Sequence, residues 1–167
     1  MSSLGFGDSR RGLFSRRHPE NRPMAFEPRD PNYAQRVRDN FARQTVMTLI
    51  GAELTEVGPG TCTVRLPFRP DLCQQNGYVH AGITTTLADT ACGYAAFSLM
   101  PADSGVVSVE FKINLLAPAI GEAFEARARV DRPGRTLTVV RAEVLAFQGE
   151  RITEVALMQA TMIRLAV

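Results

Sequence analysis

The stretch NGYVHAGITTTLADTACGYAA, residues 76–96, decides the fold of this chain. Nearly every residue in it is apolar or small, and Pro101 follows a few positions later, which predicts one long helix over residues 80–99. Two polar residues stand out, His80 at the start of the helix and Asp89 in its interior. Because burying a carboxylate without a partner costs several kcal/mol, we expect Asp89 to have a specific role.

The residues that share a helical face with Asp89 are all small. At 3.6 residues per turn, this face carries Gly82, Thr85, Thr86, Gly93 and Ala96. Glycine inside a helix costs about 1 kcal/mol relative to alanine, so we interpret the face as one that a ligand or another backbone approaches closely. The alternative is a structural carboxylate bonded to backbone amides or to an arginine.

The start of the helix is a second candidate feature. Its first amide groups lack internal partners and carry partial positive charge, and small residues around Ala81 let an anion or a polarised carbonyl approach them. In a regular helix Ala81 and Asp89 lie about 12 Å apart, too far to touch one carbonyl. We therefore expect the regular helix to begin near residue 83 or 84, with residues 77–82 folded across its mouth. A second subunit is a possible further requirement of this arrangement.

The rest of the chain predicts an antiparallel sheet. Apolar spacing indicates a helix that ends at Gly51, and period-two alternation indicates strands. The strands are expected at residues 54–57, 61–68, 107–115, 123–130, 136–147 and 151–165. In the third strand, Val107 to Leu115 alternate with Ser108, Glu110, Lys112 and Asn114. Short turns and the lack of βαβ alternation predict an α+β fold in which the sheet wraps the long helix.

Length and composition indicate one domain. The chain has 167 residues, 45% of them hydrophobic, and no apolar run long enough to span a membrane. We assign residues 1–30 to a basic N-terminal arm and residues 31–167 to the domain. Up to Arg43 there are nine arginines and five acidic residues. The arm lacks interleaved aromatic residues, so we expect a solvated extension and no nucleic-acid or membrane partner.

The cysteines do not form a recognisable framework. Cys62, Cys73 and Cys92 are odd in number and include no C-x-x-C pair, so we expect neither disulfides nor a metal site. Buried, inert thiols in a reducing cytoplasm are the expected state. A Cys92–His80–Asp89 triad is disfavoured, since nothing in the sequence places the three side chains together.

The motif G-Y-V-H-A-G-x-x-x-x-L-A-D-T-A-x-G-Y-A-A, followed by SVEFKINLLAPAIGE and by GR, resembles the hotdog-fold acyl-CoA thioesterases of the phenylacetic-acid-degradation type. That family has G-x-x-H-G-G, an aspartate nine residues after the histidine, and a strand ending in R/A-P-x-x-G. The similarity runs from about residue 47 to the C-terminus and leaves residues 1–30 outside. It implies a central helix wrapped by a five- or six-stranded antiparallel sheet.

The resemblance also implies roles for individual residues. Asp89 matches the catalytic carboxylate, which acts as nucleophile or as general base on water. Ala81 matches a glycine whose N–H polarises the thioester carbonyl. His80 matches a residue that positions the loop; a plain helix-start residue with a satisfied ring is the alternative. Ser108 matches a strand residue that orients the attacking water from the partner subunit.

Further site residues follow from the same resemblance. Gln74 stands where the family usually has asparagine to orient a carbonyl or water, and Asn76 is close enough in sequence to substitute for it. Arg135 offers a cation for the phosphates of CoA, although a turn arginine without a ligand is the simpler interpretation. The expected substrate-binding positions are Gly82, Thr85, Gly134 and Arg135.

The implied function is hydrolysis of acyl-CoA or aryl-CoA thioesters, with no metal or bound cofactor. The implied assembly is a homodimer with two active sites at its interface, commonly paired again into a homotetramer. A non-catalytic acyl-CoA-binding module on the same fold is the first alternative, and the intact Asp89 argues against it. A hotdog dehydratase or hydratase is less favoured, because those enzymes arrange their histidine and acidic residue differently from VHAGITTTLAD.

Overall fold

The computed structural model describes residues 26–167, so residues 1–25 of the arm predicted for residues 1–30 lie outside the described range. Three α-helices, one 3-10 turn and six strands make up the described part. The helices are α1 (Tyr33–Phe41), α2 (Thr45–Ile50) and α3 (Ala81–Phe97), and the 3-10 turn is Pro70–Leu72. The strands are β1 (Glu53–Gly58), β2 (Thr61–Pro67), β3 (Ser104–Leu115), β4 (Ala123–Pro133), β5 (Leu137–Gln148) and β6 (Arg151–Ala166).

The strands form a single antiparallel sheet in the order β1-β2-β4-β5-β6-β3. Helix α3 packs against the inner face of this sheet and contacts all six strands. An α+β fold with one long helix wrapped by an antiparallel sheet was the expectation from the sequence, and the structure confirms it with six strands. Strand β3 lies at one edge, so one of its sides has no neighbouring strand within the described chain.

The core fills the space between α3 and the sheet. Helix α3 is apolar on most of its circumference, which suits an element surrounded by strands. Its buried residues include Leu87, Ala88, Ala91, Cys92 and Ala95. They meet alternate residues of the strands, among them Val64, Leu66, Phe124, Val140, Val144, Met158 and Met162. Small helix residues pack against larger strand residues and bring the helix close to the sheet. This packing sets how far Asp89 lies from the strands.

The first predicted helix is divided in two. The sequence pattern suggested one helix ending at Gly51, but the chain leaves the helical conformation at Gln44, whose backbone is extended. Helix α2 follows this break and buries Met47 and Ile50 in the core. Gly51, with φ of 76°, ends α2 as predicted. The break places the α1–α2 corner beside α3, where it forms one wall of a groove described below.

Arg36 holds α1 against the end of α3. Its Nε donates to Asp30 Oδ2 at 2.6 Å, and its Nη2 donates to the carbonyl oxygens of Phe97 and Met100 at 3.3 and 2.8 Å. Asp30 also accepts the Asn32 amide at 2.9 Å, and these bonds to its carboxylate lower the pKa of Asp30. Residues 26–30, assigned to the arm from the sequence, therefore include Asp30 as a buried contact of the domain.

Strand β3 contains a bulge that changes which side chains face the helix. Ser108 pairs with Met162 and Glu110 with Thr161, so Val109 is an extra residue. Before the bulge the even-numbered Ser108 faces inward; after it the odd-numbered Phe111 does, opposite the buried Ala160. The uninterrupted alternation read from the sequence was wrong here. A strict alternation puts Ser108 on the same face as Glu110 and the other even-numbered residues after the bulge, and those residues face outward.

Candidate active site

Asp89 lies in the middle of α3, half-buried, and faces strand β3. The Ser108 hydroxyl donates a hydrogen bond of 2.6 Å to Asp89 Oδ1 and lies 3.4 Å from the sulfur of Met162. None of the salt bridges within residues 26–167 includes Asp89. The carboxylate is thus held by a neutral donor on one oxygen, which differs from a structural carboxylate neutralised by arginine.

A groove of about 360 Å³ opens beside this carboxylate. Its volume falls within the range of small-molecule sites, about 300 to 1,000 Å³. Helix α3 forms the floor with Thr86, Asp89, Thr90, Gly93 and Tyr94. Strands β3 and β6 form one wall with Val106, Val107, Ser108 and Met162, and the α1–α2 corner forms the other with Asn40, Gln44 and Val46.

Tyr94 ties the α1 wall to the floor of this groove. Its hydroxyl donates to Asn40 Oδ1 at 3.1 Å, and its ring packs between Phe41 and Phe97. Burial raises the pKa of Tyr94 to about 12, so the hydroxyl stays protonated and remains a donor at neutral pH. The sequence offered no signal for this wall, because Asn40 and Gln44 belong to a segment distant in sequence and are polar residues of ordinary type.

Helix α3 begins at Ala81, not near residue 83 or 84 as the sequence analysis expected. His80 is its N-cap, and His80 Nδ1 accepts the Gly82 amide at 2.9 Å. Thr84 and Thr85 donate their hydroxyls to the Ala81 carbonyl at 2.9 and 2.7 Å. The early start follows from this local bonding. It leaves Ala81 and Asp89 about 12 Å apart along the helix.

The Ala81 amide has a free hydrogen. As the first residue of the helix it has no carbonyl four residues earlier to bond within α3, and no hydrogen bond in the described part of the chain uses it. It lines a second groove, of about 390 Å³. The other lining residues are Gln74, Tyr78, Val79, Thr84, Leu115, Leu116, Ala117, Pro118, Ala119 and Val155. This groove shares no lining residue with the Asp89 groove.

Gln74 and Asn76 occupy different environments. Gln74 is half-buried and lines the Ala81 groove, whereas Asn76 is exposed and lies outside its lining. The Asn76 amide donates to the Gln74 side-chain oxygen, and the Gly77 amide donates to the Gln74 carbonyl at 2.9 Å. Gly77 has φ of 81°, which favours glycine, and closes this turn. Of the two candidates, the structure brings Gln74 to the groove.

The four expected substrate-binding residues lie in neither groove. Gly82 is exposed beside the His80 ring, and Thr85 bonds the Ala81 carbonyl. Gly134 and Arg135 line a separate cavity of about 150 Å³ at the far end of α3. A Cβ on Gly134 would collide with the Leu137 carbonyl, which is a structural reason for this glycine. Within one chain, the turn is not brought to Asp89 or Ala81.

The cysteines do not take part in either groove. Cys62 and Cys92 are buried, and burial raises the pKa of Cys62 to about 12 and that of Cys92 further still. Cys92 therefore stays a thiol at neutral pH and faces the core, while His80 is exposed. Cys62 and Cys92 agree with the buried, inert thiols expected from the sequence, whereas Cys73 is half-buried and departs from that expectation. The separation of Cys92 from His80 removes the basis for a triad.

Between residues 26 and 167, no three histidine, cysteine, aspartate or glutamate side chains cluster as metal ligands. Over the same range, no helix combines the length and apolar character needed to cross a membrane.

Comparisons with known proteins agree on one family. The sequence pattern of the Thioesterase superfamily matches residues 76–153, which include Asp89, Ser108 and the turn with Gly134. A solved thioesterase family protein from Silicibacter pomeroyi is 50% identical to this chain, with a TM-score of 0.80. The alignment covers 81% of this chain and 99% of that chain.

Two further relatives support the same assignment. The solved phenylacetic acid degradation protein PaaI from Thermus thermophilus, a point mutant, is 26% identical with a TM-score of 0.65, covering 73% of this chain and all of that one (100%). A Halobacterium salinarum protein that is named as an esterase on the basis of inference is 30% identical over 105 residues. The alignment covers 60% of this chain and 69% of that protein. The chain therefore belongs to the thioesterase superfamily, as a hotdog-fold thioester hydrolase of the phenylacetic-acid-degradation type.

Proposed function

We propose that the chain hydrolyses acyl-CoA or aryl-CoA thioesters to the free acid and CoA, with Asp89 as the catalytic carboxylate and the Ala81 amide as the donor to the thioester carbonyl. One observation carries this proposal. Asp89, held by Ser108, and the unpartnered Ala81 amide each face a ligand-sized groove, and each groove contains half of the required chemistry. In one chain the two halves are about 12 Å apart.

A second copy of the chain brings the two halves together. Strand β3 is an edge strand with large exposed apolar residues, an arrangement that invites pairing with another strand. These residues are Val107, Val109, Phe111 and Leu115. Ser108 lines one groove and Leu115 lines the other. When two β3 strands pair antiparallel, with the twofold axis between Phe111 and Lys112, Ser108 of each subunit lies opposite Leu115 of its partner, and the two grooves become continuous. We propose such a homodimer, with further pairing into a homotetramer.

In this arrangement each dimer has two equivalent sites. Asp89 and Ser108 of one subunit face Ala81 and Gln74 of the partner subunit. The Ala81 amide, at the positive end of α3, donates to the carbonyl oxygen as negative charge develops on it. Gln74 lies on the same groove and supplies an amide that orients the carbonyl or a water molecule. His80, through its cap on Gly82, positions the Ala81 amide.

Two routes are consistent with Asp89 at this position. As a general base, Asp89 takes a proton from water, the hydroxide adds to the carbonyl carbon, the C–S bond breaks, and the proton passes to the departing thiolate. As a nucleophile, an Asp89 oxygen adds to the carbonyl carbon and expels the thiolate, and water then cleaves the resulting anhydride. Both routes balance with water alone, so neither calls for a metal or a bound cofactor. After a single turnover in ¹⁸O-water, ¹⁸O in Asp89 would identify the second route, because only water attacking the Asp89 carbonyl of the anhydride places it there.

The test of this function is thiol release from a panel of CoA esters by the wild type and by Asp89→Asn. Loss of a positioned acid–base group typically costs about 100- to 10,000-fold in rate, and we expect a loss of this order. Asp39→Asn is the matched control, because Asp39 is an exposed aspartate on α1. Full release by Asp89→Asn would refute the role of Asp89. Binding of the esters without release by the wild type would favour the non-catalytic module.

We also propose a cytoplasmic location, which agrees with the free thiols.

A further inference from the structure

Gly93, on the floor of the Asp89 groove, is a residue that the chain itself does not explain. It lies inside α3 one turn beyond Asp89 and on the same face of the helix. Among residues inside helices, glycine is less favourable than every type except proline. A glycine at this position therefore indicates a requirement other than helix formation.

Two ordinary requirements for glycine are absent at this position. The backbone does not need one, because Gly93 is helical and is not one of the glycines with positive φ, which are Gly51, Gly60, Gly77 and Gly149. Packing does not need one either, because, apart from its chain neighbours and the adjacent backbone of α3, a Cβ built on Gly93 meets no atom within 4 Å among residues 26–167. By contrast, a Cβ on Gly60 or Gly121 would collide with neighbouring atoms.

The free space above Gly93 is part of the Asp89 groove. Val107 and Met162 stand on one side of this space, and Gln44 and Val46 of the α1–α2 corner stand on the other. A group bonded to a carbonyl at Asp89 and lying along α3 would reach Gly93 about 6 Å further along the helix axis. Side-chain atoms on residue 93 would occupy the same volume.

We propose that Gly93 determines the size of the acyl group, by leaving room for one bulkier than acetyl, such as a ring or a branched chain. This inference rests on the proposed hydrolase function and specifies its substrate class. The acyl group lies over Gly93, between the β3–β6 wall and the α1–α2 corner, while its carbonyl meets Asp89. The thiol portion then leaves on the side of the partner subunit.

The test compares the wild type with Gly93→Ala and Gly93→Val, using acetyl-CoA and benzoyl-CoA as probes. Filling the space should lower kcat/KM for benzoyl-CoA by about tenfold or more in Gly93→Val, with a smaller loss in Gly93→Ala, because a mismatch of one methylene in an apolar pocket is worth about 10- to 200-fold. The loss on acetyl-CoA should be smaller than the loss on benzoyl-CoA, so the benzoyl-to-acetyl ratio of kcat/KM should fall in Gly93→Val. Alanine and valine are both better helix formers than glycine, so neither variant should melt below the wild type.

Ala42→Val is the control, because Ala42 is exposed at the end of α1 and does not line the groove. It should leave the benzoyl-to-acetyl ratio unchanged. An unchanged ratio in Gly93→Val would overturn the inference. So would an equal loss on both esters together with a lower melting temperature, which would show that Gly93 serves subunit packing.

A binding measurement separates failure of this inference from failure of the hydrolase function. Phenacyl-CoA and acetonyl-CoA are thioethers that carry a ketone and cannot be hydrolysed, and their affinities can be measured by calorimetry. Gly93→Val should weaken phenacyl-CoA about tenfold and leave acetonyl-CoA unchanged. If the wild type hydrolyses neither probe ester but this difference appears, the hydrolase proposal fails and the role of Gly93 stands. If phenacyl-CoA binds equally to both proteins, the role of Gly93 is refuted.

Discussion

The Ser108 hydroxyl donates a 2.6 Å hydrogen bond to Asp89 Oδ1, from an edge strand to the central helix. We propose that Ser108 positions Asp89, so Ser108→Ala should lower kcat by about 10- to 100-fold, since hydrogen bonds to charged groups contribute about 1.5 to 3 kcal/mol. KM should change little, because the hydroxyl acts on the carboxylate. Ser108→Thr keeps the hydroxyl and should recover part of the loss. Equal kcat values for the wild type and Ser108→Ala would contradict this role.

The bond between Tyr94 and Asn40 attaches α1 to α3, and its removal should lower stability. Tyr94→Phe loses the hydroxyl that donates to Asn40 at 3.1 Å, and we expect the free energy of unfolding in urea to fall by about 1 kcal/mol. Tyr33→Phe is the control, because Tyr33 is a half-buried tyrosine on α1 itself. A loss no larger in Tyr94→Phe than in Tyr33→Phe would show that the bond contributes nothing measurable.

The thiols should differ in reactivity according to their burial. Cys62 and Cys92 are buried and have raised pKa values, whereas Cys73 is half-buried. With Ellman's reagent at pH 8, the native protein should react rapidly at one thiol per chain, and the remaining two should react only after denaturation. Cys73→Ser should abolish the rapid phase. Rapid reaction of more than one thiol in the native wild type would contradict the described core.

Alkaline pH should destabilise the fold through Cys62. Its pKa rises from 9.0 to about 12 on folding, so the unfolded chain loses this proton first and stability falls as pH rises above 9. Each pKa unit corresponds to about 1.4 kcal/mol. Between pH 8 and pH 10 the wild type should therefore lose about 1.4 kcal/mol more than Cys62→Ala, measured by urea unfolding. Parallel losses in the two proteins would contradict the raised pKa.

The sequence was sufficient for the architecture but not for the geometry of the site. The length and apolar character of residues 80–99 predict α3, and alternation predicts each strand, because both patterns reflect burial on one face. The helix start near residue 83 was wrong because it forced Ala81 and Asp89 to meet within one chain. The cap formed by His80 sets the start at Ala81, and the two groups remain separate within one chain.

The orientation of Ser108 could not be read from the pattern. Val107, Val109 and Phe111 alternate with polar residues without interruption, so one inserted residue leaves no trace in the sequence. The bulge is visible only in the pairing of β3 with β6, where Val109 has no partner. The wall formed by Asn40 and Gln44 was equally hidden, because its position depends on the break between α1 and α2.

The central claim is that Asp89 and Ala81 act on one thioester from opposite subunits. Ala81→Pro removes the amide hydrogen at the first position of α3, where proline is well tolerated, and the extended His80 backbone (φ −60°, ψ 138°) suits a following proline. Asp89→Asn and Ala81→Pro should each be nearly inactive as pure proteins. Each mixed dimer would contain one intact site and one doubly altered site.

The most direct measurement is therefore thioesterase activity after Asp89→Asn and Ala81→Pro chains are unfolded together and refolded at equal concentration. Random pairing makes half of the dimers mixed, so the account predicts recovery of about a quarter of wild-type activity. Recovery should disappear when either variant is refolded alone. A mixture as inactive as its two components, with mixed dimers verified by native mass spectrometry, would contradict a site shared between subunits.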